Sequence, residues 1–321
     1  MRHAALALAI GFFAVAGCSG KSMNGGGGAG GTGGGGAGGS GGGGMVPSDG
    51  GVTVNGDAVT ITMTPFPVPA GGEVYMCQTF ANPFGGMDVD IAEFESHMSP
   101  GSHHMLLLFQ DNATDGALTP CSGLTFGPMP YGAQQPDASI TYPAGIGATI
   151  KGTQGFNVVA HYLNATQSDL TAVVQVTMHI APAGSVTQHA GVFFLDAIKQ
   201  LLQGVPAGVT QTITASYTTT IPMQILYATG HTHRFTTSMN ATAGSNQIYQ
   251  TDSWDNSPTV PFSPAMSLPA GTQISWSCVI DNTTTGTITF GESAQTNEMC
   301  IFNGQYYPVP AGADPSINVN K

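Results

Sequence analysis

The chain has 321 residues, enough for one large or two ordinary domains, and 6 Lys and Arg against 18 Asp and Glu give a formal charge of −12. That balance opposes binding to nucleic acid or to an anionic membrane surface, both of which need a basic face. Only 7% of residues are charged. Such polarity without charge excludes a coiled coil, a multi-span membrane protein and a charged disordered chain, and suits a secreted β-rich protein.

Arg2 followed by the apolar run 4–16 has the form of an export signal over residues 1–17, with a core too short to span a bilayer. Its end, Val15-Ala16-Gly17-Cys18, resembles a bacterial lipoprotein box. The resemblance implies cleavage before Cys18 and lipidation there. Ser19 resembles the outer-membrane sorting pattern of Gram-negative lipoproteins, so membrane contact is expected through the lipid anchor alone. Residues 18–50 form the lipidated cysteine and a linker. Between Gly25 and Gly44, 16 of 20 residues are glycine. Such a segment buries no apolar surface and spans about 25 Å as a flexible coil. It lacks the flanking strand, helix and lysine of a phosphate loop.

Beyond it, segments 52–63, 73–79, 105–110, 155–163, 170–180, 210–219, 224–230, 273–280 and 286–290 are rich in Val, Ile, Thr and aromatics and read as strands. A short helical turn is expected at 196–203. Pro-Ala-Gly recurs at Pro69, Pro143, Pro182, Pro206, Pro269 and Pro310, each a turn in which proline sets φ and glycine permits a positive one. The pattern predicts an all-β protein of two antiparallel β-sandwich domains, 51–184 and 185–312, joined near 182–186 and followed by a frayed tail, 313–321. Cys18 is committed to lipid. The remaining Cys77, Cys121, Cys278 and Cys300 allow three disulfide pairings in an oxidising compartment; the two local ones would place one staple in each domain.

Five of the nine histidines fall into His103-His104, His161 and His231-Thr232-His233. On a strand, His231 and His233 project from one face and can converge on one ion. Neighbours such as His103 and His104 point to opposite faces of a regular strand, so both can serve one site only if Pro100-Gly101 makes the entry irregular. Methionine sulfur is a soft ligand favouring Cu(I), and Met299 stands beside Cys300.

In order along the chain, Val74-Tyr75-Met76-Cys77, His103-His104-Met105-Leu106-Leu107, Val158-Val159-Ala160-His161-Tyr162, Gly230-His231-Thr232-His233-Arg234, Trp276-Ser277-Cys278-Val279 and Asn297-Glu298-Met299-Cys300 resemble the type II copper, ascorbate-dependent monooxygenases, the family of peptidylglycine α-hydroxylating monooxygenase and dopamine β-monooxygenase. The resemblance implies two jelly-roll-like sandwiches flanking a solvent-filled cleft, and disulfides Cys77–Cys121 and Cys278–Cys300. It implies two coppers per chain: His103, His104 and His161 would hold the electron-transfer copper, and His231, His233 and Met299 the oxygen-binding, catalytic one. With O2 and a reductant such as ascorbate as co-substrate, such a protein hydroxylates a C–H bond of a small substrate.

The peptide-processing members grip a carboxylate with an arginine two residues before His-x-His; here that position is Thr229. Their polar partners two and four residues after the methionine are Ile301 and Asn303, and a glutamine before the third histidine is Val159. Carboxylate recognition by that route is lost, so a more neutral or apolar substrate is expected, with Arg234 as a possible replacement anchor. The lost anchors and the tether also motivate an alternative, a non-catalytic copper-binding surface lipoprotein for sequestration or delivery. His97, His179 and His189 carry no ligand pattern, and the acidic run Asp88, Asp90, Glu93 and Glu95 reads as a solvated loop. Trp254 and Trp276 read as packing residues.

Overall fold

A computed structural model describes residues 50–121 and 127–318. The signal, Cys18 and the glycine linker lie outside the described residues.

The protein is nearly all strand. In the first half, a sheet runs in the order Gly51–Asn55, Ala58–Thr62, Val174–Ile180, Val89–Met98, Ile146–Ile150 and Gln188–His189, with Asp137–Thr141 also paired to Val89–Met98. It packs against a five-stranded sheet of Thr119–Pro120, Glu73–Phe80, Gln154–Leu163, Ser102–Asp111 and Tyr131–Ala133. Ile91, Phe94 and Met178 from one sheet meet Met105, Leu107 and Phe156 from the other in a single core. The second half repeats this plan. A sheet of Thr259–Leu268, Met223–Thr232, Cys300–Tyr307, Gly191–Asp196 and Ser316–Asn318 covers a four-stranded sheet of Thr210–Thr218, Gln273–Asp281, Thr236–Ala243 and Asn246–Thr251. Trp276, Phe302 and Tyr249 lie in that core. Cys77–Cys121 and Cys278–Cys300 are both bonded, one pair in each half.

The two five-stranded sheets face each other. Between them Leu108, Met129 and Val159 from one half pack on Val192, Phe194, Met299 and Ile301 from the other. These sheets are therefore buried on both faces, which explains runs such as Val158-Val159-Ala160: Val158 and Ala160 enter their own core while Val159 enters the shared layer.

All six Pro-Ala-Gly triplets are tight turns. In each, the N–H three residues on donates to the proline carbonyl and the glycine takes a positive φ, as at Gly71 and Gly145.

Several elements depart from expectation. Asp90, Glu93 and Glu95 of the acidic run lie not in a loop but on the interior strand Val89–Met98, which Asp88 just precedes. Opposite His179 and Ile180, its register shifts by one residue, so Ile91 and Phe94 are both buried three apart, and period two is interrupted. Segment 286–290 forms only isolated bridges at Ile288 and Phe290; the Asn282 amide donates to the Gly286 and Val205 carbonyls and folds it into a loop. Ser316–Asn318, expected in a frayed tail, pairs in parallel with Val192–Phe194. Gln188–His189 still pairs with Ile146–Gly147 of the first half.

Candidate metal centre

Four of the five paired or grouped histidines lie on strands of the two facing sheets, and His233 follows the end of one. Residues 104, 106 and 108 of strand Ser102–Asp111 point away from their own core, whereas Met105 and Leu107 point into it. A regular strand would send His103 inward with Met105. Instead the pairing steps from His161↔His104 to Tyr162↔Ser102, leaving His103 as the extra residue of a bulge. The bulge lets both rings serve one face, which is the irregularity that His103-His104 requires. In the facing half, Tyr227, Thr229 and His231 alternate outward along Met223–Thr232, and His233 follows the strand end. Gly230 between them has to be glycine: a Cβ there would fall on the Tyr249 ring and the Met239 sulfur.

The structure gathers all five rings into one buried cluster. His103 is 4.9 Å from His161 and 4.9 Å from His231 between ring centroids, and His104 is 4.8 Å from His231. Two overlapping groups, His103/His104/His161 and His103/His231/His233, each place their ligand atoms within 4.8 Å of one another. The resemblance implied trios on opposite walls of a solvent-filled cleft; here they adjoin, and no histidine of the cluster is more than 7% exposed.

Each ring offers one buried nitrogen without a hydrogen bond: His103 Nε2, His104 Nδ1, His161 Nδ1, His231 Nε2 and His233 Nε2. On four of them the other nitrogen is engaged. His161 Nε2 lies 2.8 Å from Glu73 Oε1, His104 Nε2 3.0 Å from the Tyr75 hydroxyl, His231 Nδ1 2.8 Å from Gln134 Oε1 and His233 Nδ1 3.3 Å from the Asn297 carbonyl. Donation by these nitrogens fixes the tautomer and leaves the lone pair of the other directed into the cluster. Burial, reinforced by the neighbouring rings, holds His103, His104 and His233 well below the ordinary histidine range and His231 at about 3. Burial also lowers His161, against the opposing pull of Glu73. All five are neutral imidazoles at neutral pH, the form that binds a metal ion. Five uncompensated buried nitrogens are costly unless something else satisfies them. The donor set fits copper, since imidazole with a nearby thioether suits both its oxidation states.

Met299 is 1% exposed and lines the same cavity as His104 and His231. Its neighbour Glu298 is fully buried, and its carboxylate accepts the backbone N–H groups of His233, Phe235 and Met299. Burial pushes that carboxyl up to about 7 despite those bonds. Glu298 thus binds the His-x-His turn to the methionine, a role its place in the sequence did not announce. Arg234 is exposed, stacks 5.3 Å from the Phe235 ring centre and does not line the cavity. Thr229, Ile301 and Asn303 do line it. His97, His179 and His189 pair with Asp137, Glu95 and Asp90 outside the cluster. Trp276 is core, whereas the Trp254 ring lies 5.8 Å from His103.

Two of the supporting groups bridge the halves. Gln134, from the first sandwich, orients His231 of the second and donates its Nε2 to the Gly230 carbonyl at 2.8 Å. Glu73 holds His161 and also accepts from Ser293 Oγ and Ala294 N of the second half. Replacing Gln134 by leucine is expected to weaken copper binding about 10-fold or more, as read by a copper titration. Gln135→Leu, at a side chain whose amide donates to the Ser257 carbonyl and to no ligand histidine among the described residues, should leave it unchanged.

Residues 188–318 match the family described as copper type II ascorbate-dependent monooxygenase, C-terminal domain. That match runs from Gln188 to Asn318 and includes His231, His233 and Met299. No curated protein matches the chain. Among solved structures, the STIV MCP is 10% identical, with 80% of this chain and 100% of that chain covered and a TM-score of 0.37. The major capsid protein P2 from bacteriophage PM2 is 7% identical, with 80% and 99% covered and a TM-score of 0.34. PNGase F, a glycosylasparaginase from Flavobacterium meningosepticum, is 10% identical, with 81% and 97% covered and a TM-score of 0.35.

Proposed function

We propose that this protein is a copper-dependent monooxygenase that hydroxylates a C–H bond of a small substrate with O2 and an external reductant such as ascorbate. The observation that carries the reading is the set of five buried imidazole nitrogens without hydrogen bonds, gathered in one cluster of which His104 and His231 line a cavity that Met299 also lines. His103, His104 and His161 would hold one copper, and His231, His233 and Met299 the other. Bound copper would supply the redox and oxygen chemistry that no side chain offers. Substrate C–H, O2, two electrons and two protons balance to an alcohol and water. The chain's own part is to hold neutral imidazoles in fixed tautomers, through Glu73, Tyr75, Gln134 and the Asn297 carbonyl, and to exclude bulk water from them. The lipoprotein box supports an outer-membrane location, with Cys18 as anchor.

Copper quantification with EPR on the oxidised protein, followed by reductant-dependent oxygen uptake over a panel of C–H substrates, tests this reading. Two copper ions in nitrogen-rich type II centres with a hydroxylated product are expected. Two ions and no product from any substrate would establish the copper-sequestering alternative; no retained copper would overturn both.

A further inference from the structure

The cavity that ends at His104, His231 and Met299 has a volume of about 310 Å³ and lies between the two facing sheets. Its walls come from both halves: Leu106, Met129 and Tyr131 on one side, Val192, Phe194 and Ile301 on the other. The alternation that buries one face of each strand in its own core turns the other face here. Among the described residues no lysine or arginine lines it. Asp137, the one charged residue among the described residues that does, has a side chain 80% exposed and lies 2.6 Å from His97 Nδ1, so its charge stands at the mouth. Within, the Tyr227 hydroxyl and the Asn303 amide line the cavity and bond to no other side chain among the described residues, whereas Tyr131 Oη is occupied by Ser96 and the Ala138 carbonyl.

We infer that this cavity binds a neutral, mainly apolar organic molecule with a single hydrogen-bonding group, such as an amide or a hydroxyl, that meets Asn303 and Tyr227. Its role as substrate rests on the monooxygenase reading; its binding does not. Away from the histidine end, an ionised ligand would leave its charge against apolar walls with no charged partner, a cost far larger than one hydrogen bond returns. A neutral one exchanges apolar surface for apolar surface and satisfies the two free polar groups. The size is matched to one ring with a short side chain, since a cavity of about 150 Å³ holds benzene and ligand sites begin near 300 Å³.

The test uses the full chain, with and without copper, and three probes of equal size: 3-phenylpropanamide, 3-phenylpropanoate and 3-phenylpropylamine. By calorimetry the amide should bind at least about tenfold more tightly than either ion. Val192→Phe, which fills the chamber, should reduce amide binding at least about tenfold while copper stoichiometry is kept. Asn303→Leu should bring the amide down to the affinity of propylbenzene and leave propylbenzene itself unaffected, which serves should Val192→Phe fail to fold. Equal binding of the three probes, preference for either ion, or amide binding indifferent to both variants would overturn the inference. Amide binding by a chain that retains no copper would uphold it and remove the monooxygenase reading; copper with turnover but preference for an ion would do the reverse.

Discussion

With Met299 replaced by isoleucine, reductant-dependent oxygen uptake is expected to fall by about two orders of magnitude or more, while most of the Cu(II) bound by the protein is retained. Loss of a group that merely supports a ligand costs about 10–100-fold, so loss of a ligand itself should reach at least the upper end. Cu(II) is held by imidazole nitrogens, and all five histidines remain. What the variant removes is the soft sulfur that favours Cu(I). The fold should tolerate the change. Met299 packs among the apolar Leu108, Val159, Val192 and Ile301, where a swap of similar volume costs less than about 1.5 kcal/mol. Its backbone N–H, which donates to Glu298 Oε1 at 2.9 Å, is untouched. Oxygen consumption and copper content measured on the same preparation check the prediction. Unchanged turnover would refute the role given to Met299.

Much of this arrangement could be read from residues alone because it depends on local spacing. His231 and His233, two apart, both reach the cluster although the strand ends at Thr232 between them, and the Pro-Ala-Gly turns follow from the φ preferences of proline and glycine. What the sequence hid depends on register. The bulge that turns His103 outward is set by the pairing of Ser102–Asp111 with Gln154–Leu163, two segments some fifty residues apart. The shift beside Ala92 likewise disguised a central strand as a loop. Gln134, a polar residue just after the short strand Tyr131–Ala133, carries no local signal at all, and its importance arises only when the second sandwich brings His231 within 2.8 Å. For the same reason the adjacency of the two histidine trios was not legible: each is defined within its own half, and the distance between them is fixed by how the two five-stranded sheets face each other.

The second large effect is expected at Glu73, also silent in the sequence as a site residue. Its side chain is 18% exposed and joins the halves: Oε1 lies 2.8 Å from His161 Nε2 and 2.7 Å from Ala294 N, and Oε2 accepts from Ser293 Oγ at 2.6 Å. Burial pushes this carboxyl up, but the bonds from His161, Ser293 and Ala294 outweigh it and hold it below the ordinary value, so it is charged at neutral pH. From Ser293 the connection continues. Its carbonyl accepts from Asn297 N at 2.9 Å, and the Asn297 carbonyl faces His233 Nδ1. One carboxylate therefore supports a ligand of each trio, His161 directly and His233 through the 293–297 loop. Glu73→Ala should accordingly weaken copper binding at both trios by about 10–100-fold, and lower stability by about 2–5 kcal/mol as three donors in part-buried bonds lose a charged acceptor. Ser293→Ala, which leaves the His161 bond intact, should weaken only the His231/His233/Met299 site. Copper titration followed by EPR, with thermal unfolding of the copper-free chains, distinguishes these outcomes. Were Glu73→Ala to disturb the His161 trio alone, the 293–297 loop would not be transmitting support between the halves, and the two sites would be held independently.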